Sequence, residues 1–95
     1  MKFLEKYDFN KADIEEFVNN SPKKLVDTIK EQKKLVGTNI SYLKELGVRN
    51  YKEIFLNFYD MFLMDNSNFI EVFAKYDRDD LIDKLEKNVS IVEYL

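Results

Sequence analysis

Apolar and polar positions along this chain recur at helical spacing, and short stretches of capping and turn residues cut that recurrence into segments. Asn10 stands ready to cap a first helix, "KADIEEFVN", and Asp13, Glu15 and Glu16 lie near its positive N-terminal end. Ser21-Pro22 restarts the pattern with a capping hydroxyl and a proline whose fixed φ suits a first helical turn. The second helix is expected to run to about Val36 and stop at Gly37. Thr38 or Asn39 would cap a third, "ISYLKEL", which ends at Gly47. Asn50, with Glu53 three residues on, opens a fourth in capping-box fashion, and "DNSN" (65–68) breaks it. Two more helices are expected near 68–75 and 78–87, the latter opened by Asp77 and Asp80. "NVSIVEYL" closes the chain as a short helix or an extended tail. No segment alternates cleanly over six residues, so the expected fold is all-α, a single domain over 1–95 built as a compact bundle of about five to six short helices.

Two helical wheels sharpen this. In the second helix Leu25, Val26, Ile29, Gln32 and Val36 share one face, with Leu35 at its margin. Lys23, Lys30 and Lys34 share the other, where Asp27 and Glu31 stand three or four positions away and can pair with them. The fourth helix is greasier. Lys52, Glu53, Asn57 and Asp60 occupy an arc of only about 140°, whereas a surface helix needs an apolar stripe of about 100°. It must be covered on two sides, as the central helix of the fold or by a partner. Tyr51, Phe55, Phe58 and Phe62 cluster opposite the polar arc and are the expected core ridge. Leu56 and Leu63 lie one heptad apart on a separate ridge, and Met64 lies beyond the polar arc. Leu56, Leu63 and Met64 are therefore the candidate contacts for a protein partner or a second copy, unless "VSIVEYL" folds back over Leu56 and Leu63.

Composition narrows the chemistry. Ninety-five residues make one domain with a modest core, burying about 60–70% of the surface its unfolded chain exposes. Cysteine and histidine are both absent, which removes the redox centres, the commonest general base and the usual transition-metal ligands. Ser21, Ser41, Ser67 and Ser90 have no histidine to activate them. Two isolated glycines do not make a dinucleotide fingerprint or a P-loop, and "YDRDDLIDKLEKN" (76–88) lacks the mid-loop glycine and ligand spacing of a calcium-binding EF-hand. The expectation is no enzyme, no cofactor and no metal. "MKFLEKYDF" places charges where a secretory leader needs an apolar run, and no stretch approaches the roughly 18 apolar residues of a membrane span. A cytoplasmic location follows as the default.

The net charge of −3 hides an asymmetry. Residues 21–52 carry eight bases against three acids, or +5, and residues 53–95 carry four bases against ten acids, or −6. Such a split marks either two binding surfaces or opposite faces meeting inside one small fold.

The stretch "ADIEEFVNNSPKKLVDTIKEQKKLVGTNISYLKELGV" (12–48) resembles the helical repeats of mitochondrial transcription termination factors. In those repeats an apolar helix leads to a proline followed by leucine. A short second segment comes next, and then a helix ending in Leu-Gly and a small apolar residue. The positions that match are Ile14, Phe17, Pro22, Leu25, Ile40, Leu43, Leu46, Gly47 and Val48. Residues 50–85 echo the pattern at an offset of 39, with Leu85 for Leu46 and Ile82 for Leu43, but Met61 replaces the proline and Glu86 the glycine. The resemblance implies one to two stacked repeat units and nucleic acid bound on a basic face. Lys23, Lys30 and Lys34 would then make the phosphate contacts. The negative net charge argues against duplex binding, which displaces counterions with unbalanced Lys and Arg. The reading favoured by the residues is a non-enzymatic helical protein-interaction module, as a homodimer or with another protein. The alternative is a nucleic-acid-binding helical-repeat protein using the basic 21–52 segment.

Overall fold

In the computed structural model, which describes residues 1–95, the chain is all-α, with six α-helices, three 3-10 helices and no strand. The α-helices are α1 (Lys11–Asn20), α2 (Lys23–Glu31), α3 (Lys33–Leu46), α4 (Tyr51–Asn57), α5 (Asn66–Ala74) and α6 (Arg78–Lys87). The 3-10 helices span Lys2–Tyr7, Tyr59–Leu63 and Val89–Tyr94, here called N-terminal, middle and C-terminal. Several ends form as the residues dictate. Asn10 Oδ1 accepts the Asp13 N–H at 2.8 Å, and Asp77 Oδ2 accepts the Asp80 N–H at 3.1 Å. Gly47, at φ 102°, closes α3, and the Val48 N–H donates back to the Leu43 carbonyl at 3.1 Å as in a Schellman cap. The C-terminal segment is a short helix, and Asn88 Oδ1 accepts the Ser90 N–H that opens it.

Other boundaries move, several of them through a tertiary contact or a competing hydrogen bond. Ser21 ends α1 and makes no side-chain cap for α2, in whose first turn the Leu25 and Val26 N–H groups donate to the Pro22 carbonyl. The second helix does not run to Val36; it ends at Glu31, and the chain bends at Gln32. Gln32 and its neighbours are good helix formers, so local propensity does not account for the bend. Helix α3 then passes straight through Gly37, Thr38 and Asn39, which were expected to stop one helix and cap another. Gly37 is there for space. A Cβ at that position would collide with the Tyr7 hydroxyl and sit 3.0 Å from Cζ of its ring, so glycine lets the end of the Tyr7 ring lie against α3 in this position. Thr38 Oγ1 donates to the Lys34 carbonyl at 2.8 Å, a back-bond that keeps the residue inside its helix.

The expected long fourth helix is also cut. It ends at Asn57, Phe58 takes φ −136° and ψ 44°, and a 3-10 turn follows. Asn39 holds this irregular segment: its Nδ2 donates to the carbonyls of Phe62 (3.0 Å) and Met64 (2.9 Å), while its Oδ1 accepts from Asn66 Nδ2 (2.9 Å). Asn39 is fully buried, and these bonds are what its burial requires. Asn50 makes no capping bond: its Nδ2 donates to the Leu85 carbonyl at 2.9 Å, and in that orientation its Oδ1, the atom that would cap, is buried with no partner. Asp65 takes up the cap of α5, which therefore begins at Asn66.

Helix α3 is the hub, packed against α2, α4, α5 and both the N-terminal and middle 3-10 helices. Aromatic rings run through the core in sequence. Phe55 meets Phe9 (5.4 Å between centroids), Phe17 (5.3 Å) and Phe62 (5.2 Å), and the run continues from Phe62 to Phe69 (5.1 Å) and Phe73 (5.0 Å). Tyr51, Phe55 and Phe62 are buried as expected, but Phe58 is only half-buried, because the break rotates it off the ridge. Helix α4 is covered within the fold on two sides. Phe9 and Phe17 pack on one, and the C-terminal 3-10 helix, with Val92 buried, packs on another.

Candidate functional site

The break at Phe58 opens a groove. Phe58, Met61 and Met64 from the segment around the middle 3-10 helix, Val72 from α5, and Val92 and Leu95 from the chain's end line a cavity of about 410 Å³. Asp60 and Glu93 complete its lining. All of its apolar residues but Val92 are half-exposed while packed against the core, so the groove is a continuation of that core to the surface. It can take up an apolar side chain or helix face, and its two carboxylates favour cations beside that face.

A second concavity, about 680 Å³, lies on the basic side. It is lined by Lys2, Phe3, Glu5, Lys6 and Tyr7 of the N-terminal 3-10 helix and by Lys33 and Lys34 at the start of α3. Lys30 and Lys33 stand close to the Met1 amine. Burial first, and these two charges second, hold that amine below its ordinary pKa. The ion pairs of the molecule are Lys44–Asp8, Arg49–Glu86, Lys84–Asp80 and Lys87–Asp83. Lys23, Lys30 and Lys34 therefore do not pair with Asp27 or Glu31, contrary to the helical-wheel expectation. The side chains are long and solvated, and an exposed pair gains too little to hold them in one geometry. The basic middle meets the acidic end at a single pair, Arg49 Nε to Glu86 Oε1 at 3.7 Å.

A polar knot fixes the basic cleft to the core. Asp8, at φ 71°, ends the N-terminal 3-10 helix in the left-handed conformation that Asp and Asn tolerate best among residues with a side chain. Its carboxylate accepts from Lys44 Nζ at 2.8 Å and from the Tyr51 hydroxyl at 3.2 Å. The same hydroxyl lies 2.8 Å from the Tyr7 carbonyl, its second acceptor, and Lys52 Nζ donates to the Asp8 carbonyl. The hydrogen bond from Lys44, then that from Tyr51, lowers the Asp8 pKa below the ordinary carboxylate value. Asp8 in turn raises Lys44, and burial, followed by Asp8, raises Tyr51. The knot ties α3 and α4 to the segment that carries Lys2, Phe3, Lys6 and Tyr7.

The residues singled out by sequence divide between these places. Met64 lies in the apolar groove. Leu56 does not; it faces Phe17, Asn20 and Ser21 of the α1 end across a separate cavity of about 350 Å³. Leu63 is half-buried against the core and lines neither. The heptad ridge joining Leu56 to Leu63 is interrupted by the break at Phe58. The C-terminal 3-10 helix folds back beside Met64 through Val92 and Leu95. Lys34 lines the basic cleft, whereas Lys30 and Lys23, two turns apart on α2, do not. Phe58, Met61, Val72, Val92 and Leu95 were missed as a set because they come from three elements. Lys2, Phe3, Lys6 and Tyr7 carried a visible signal, since lysine and aromatic each repeat at a spacing of four in "KFLEKY".

No group of three or more Asp, Glu, His or Cys side chains is placed to hold a metal ion, and no helix is long and apolar enough to cross a membrane. Comparison of the chain with protein-family models, with curated proteins and with solved structures finds no match.

Proposed function

We propose that this chain is a non-enzymatic protein-interaction module that holds an apolar segment of a partner in the groove of Phe58, Met61, Met64, Val72, Val92 and Leu95. The observation that carries the reading is the groove itself: six apolar residues converge on one concavity, bounded by Asp60 and Glu93. The surrounding chain adds to it, because residues 53–95 carry ten acids against four bases. The partner that fits is an amphipathic helix with an apolar stripe and flanking lysine or arginine, laid into the groove as one helix face. Complementary charge of this kind steers encounter and rejects acidic partners.

Calorimetric titration with a short amphipathic peptide of leucine and lysine tests this at about 0.15 M salt. Micromolar binding is expected, weakened at least tenfold by Asp60→Lys with Glu93→Lys and abolished by Met64→Asp. Sedimentation equilibrium on the chain alone shows whether a second copy can be the occupant, through a concentration-dependent dimer that Met64→Asp dissociates. Absence of both peptide binding and dimerisation would overturn the reading, as would peptide binding that these variants leave unchanged.

A further inference from the structure

The basic cleft is independent of that groove and has its own chemistry. Lys2, Lys6, Lys33 and Lys34 line it from two elements, and none of them belongs to an ion pair. Glu5 is its one acid. Four ammonium groups against one carboxylate around one concavity leave a net positive charge that is relieved by an anion of several charges. The cleft also has an aromatic lining. Tyr7 is half-buried with its hydroxyl seated over Gly37, and Phe3 is half-buried against the core, so both rings are held. Its volume of about 680 Å³ falls within the range of small-ligand sites, about 300–1,000 Å³.

We propose that this cleft binds nucleoside phosphates, with Lys2, Lys6, Lys33 and Lys34 on the phosphates and the base laid against Phe3. Two features select this ligand over other anions. Lysines supply mobile point charges suited to phosphate oxygens, and a ring beside them supplies the stacking face that makes binding of single strands tolerant of sequence. An acidic peptide would use the charges and leave the rings idle. A flat anionic membrane would not reach rings that line a concave surface. The same chemistry is offered by a free nucleoside triphosphate and by a single strand, and the affinities of the two distinguish them.

The chain has three methionines, Met1, Met61 and Met64, so methyl-labelled methionine gives one reporter next in sequence to Lys2 of the basic cleft and two in the apolar groove. An oligothymidylate, ATP, inorganic triphosphate and a glutamate peptide are titrated separately at about 0.15 M salt. The oligonucleotide or ATP should shift the Met1 methyl and leave Met61 and Met64 in place. Tighter binding of the oligonucleotide makes the strand the source; equal or tighter binding of ATP makes it the free nucleotide. If a strand binds, log affinity against log salt should have a slope of about −2.8 for four phosphate contacts, falling by about 1.4 in Lys33→Gln with Lys34→Gln. Phe3→Leu should weaken the nucleotide ligand about tenfold and leave inorganic triphosphate unaffected. The control, Lys23→Gln with Lys24→Gln, removes equal charge outside the cleft and should change affinity far less than the cleft pair. No Met1 shift with either nucleotide ligand overturns the proposal. So does inorganic triphosphate or the glutamate peptide binding as tightly as the nucleotides, indifference to Phe3→Leu, or equal damage from the control pair. None of these outcomes bears on the apolar groove.

Discussion

Replacing Asn39 by alanine removes three hydrogen bonds from the one fully buried polar side chain in the molecule. The bond to the Phe62 carbonyl is itself buried, so losing it leaves an acceptor without water, at about 1–3 kcal/mol. The bonds involving Met64 and Asn66 are partly buried, and water recovers part of each, leaving about 0.5–1 kcal/mol apiece. Together the loss is about 3 kcal/mol. For a domain of this size that lowers Tm by more than about 10 °C. Asn39→Asp keeps the shape but points a carboxylate oxygen at two carbonyls, so at neutral pH it should be at least as damaging. Part of its loss should return on acidification, when the carboxyl regains a proton to donate. Urea unfolding followed by circular dichroism measures both variants. If Asn39→Ala lies within about 0.5 kcal/mol of the parent chain, Asn39 does not hold the 58–66 segment and the account of the broken fourth helix fails.

Three further outcomes follow from the same contacts. Gly37→Ala should cost about 1–3 kcal/mol by forcing its new methyl into Tyr7, and the cost should shrink in a Tyr7→Ala background when the four proteins are compared as a double-mutant cycle. Phe55→Ala, at the junction of the rings of Phe9, Phe17 and Phe62, should cost about 3–5 kcal/mol in urea unfolding. Acid and alkaline limbs of Tm against pH should reflect the polar knot. Asp8 has a lowered pKa in the fold, so its stabilisation is complete above the unfolded carboxylate value and is lost as pH falls through the folded one; Asp8→Asn should flatten that limb. Tyr51 has a raised pKa, so its contribution is complete below the unfolded value and is lost as pH rises through the folded one; Tyr51→Phe should flatten the alkaline limb.

What the sequence encoded locally, it made legible. Asn10, Asp77 and Gly47 each mark an end through their own side chain or backbone freedom, and α1, α6 and the close of α3 stand where those residues place them. What it encoded through distant contacts could not be read from spacing. Gly37 reads as a helix stop until Tyr7, thirty positions earlier, is seen against it. Asn39 reads as a cap until Phe62 and Met64, more than twenty positions later, are seen to use its amide. The wheel drawn through 50–64 assumed one continuous helix, so it identified Tyr51, Phe55 and Phe62 as buried but misplaced Phe58. The same assumption put Leu56 and Leu63 on one ridge. The stripe of Lys23, Lys30 and Lys34 was visible, but only Lys34 lines the cleft, which depends on the N-terminal 3-10 helix, a segment closed by Asp8 in the left-handed conformation and not by a glycine.

The proposed role of the groove is tested most directly by titrating the leucine–lysine peptide into methyl-labelled methionine protein and following all three methyl signals. Met61 and Met64 line the groove, and Met1 lies on the basic side beside Lys30 and Lys33. The peptide should move Met61 and Met64 together with one saturation curve and leave Met1 where it was. A shift confined to Met1, or no shift at Met61 and Met64 at peptide concentrations approaching millimolar, would contradict the account.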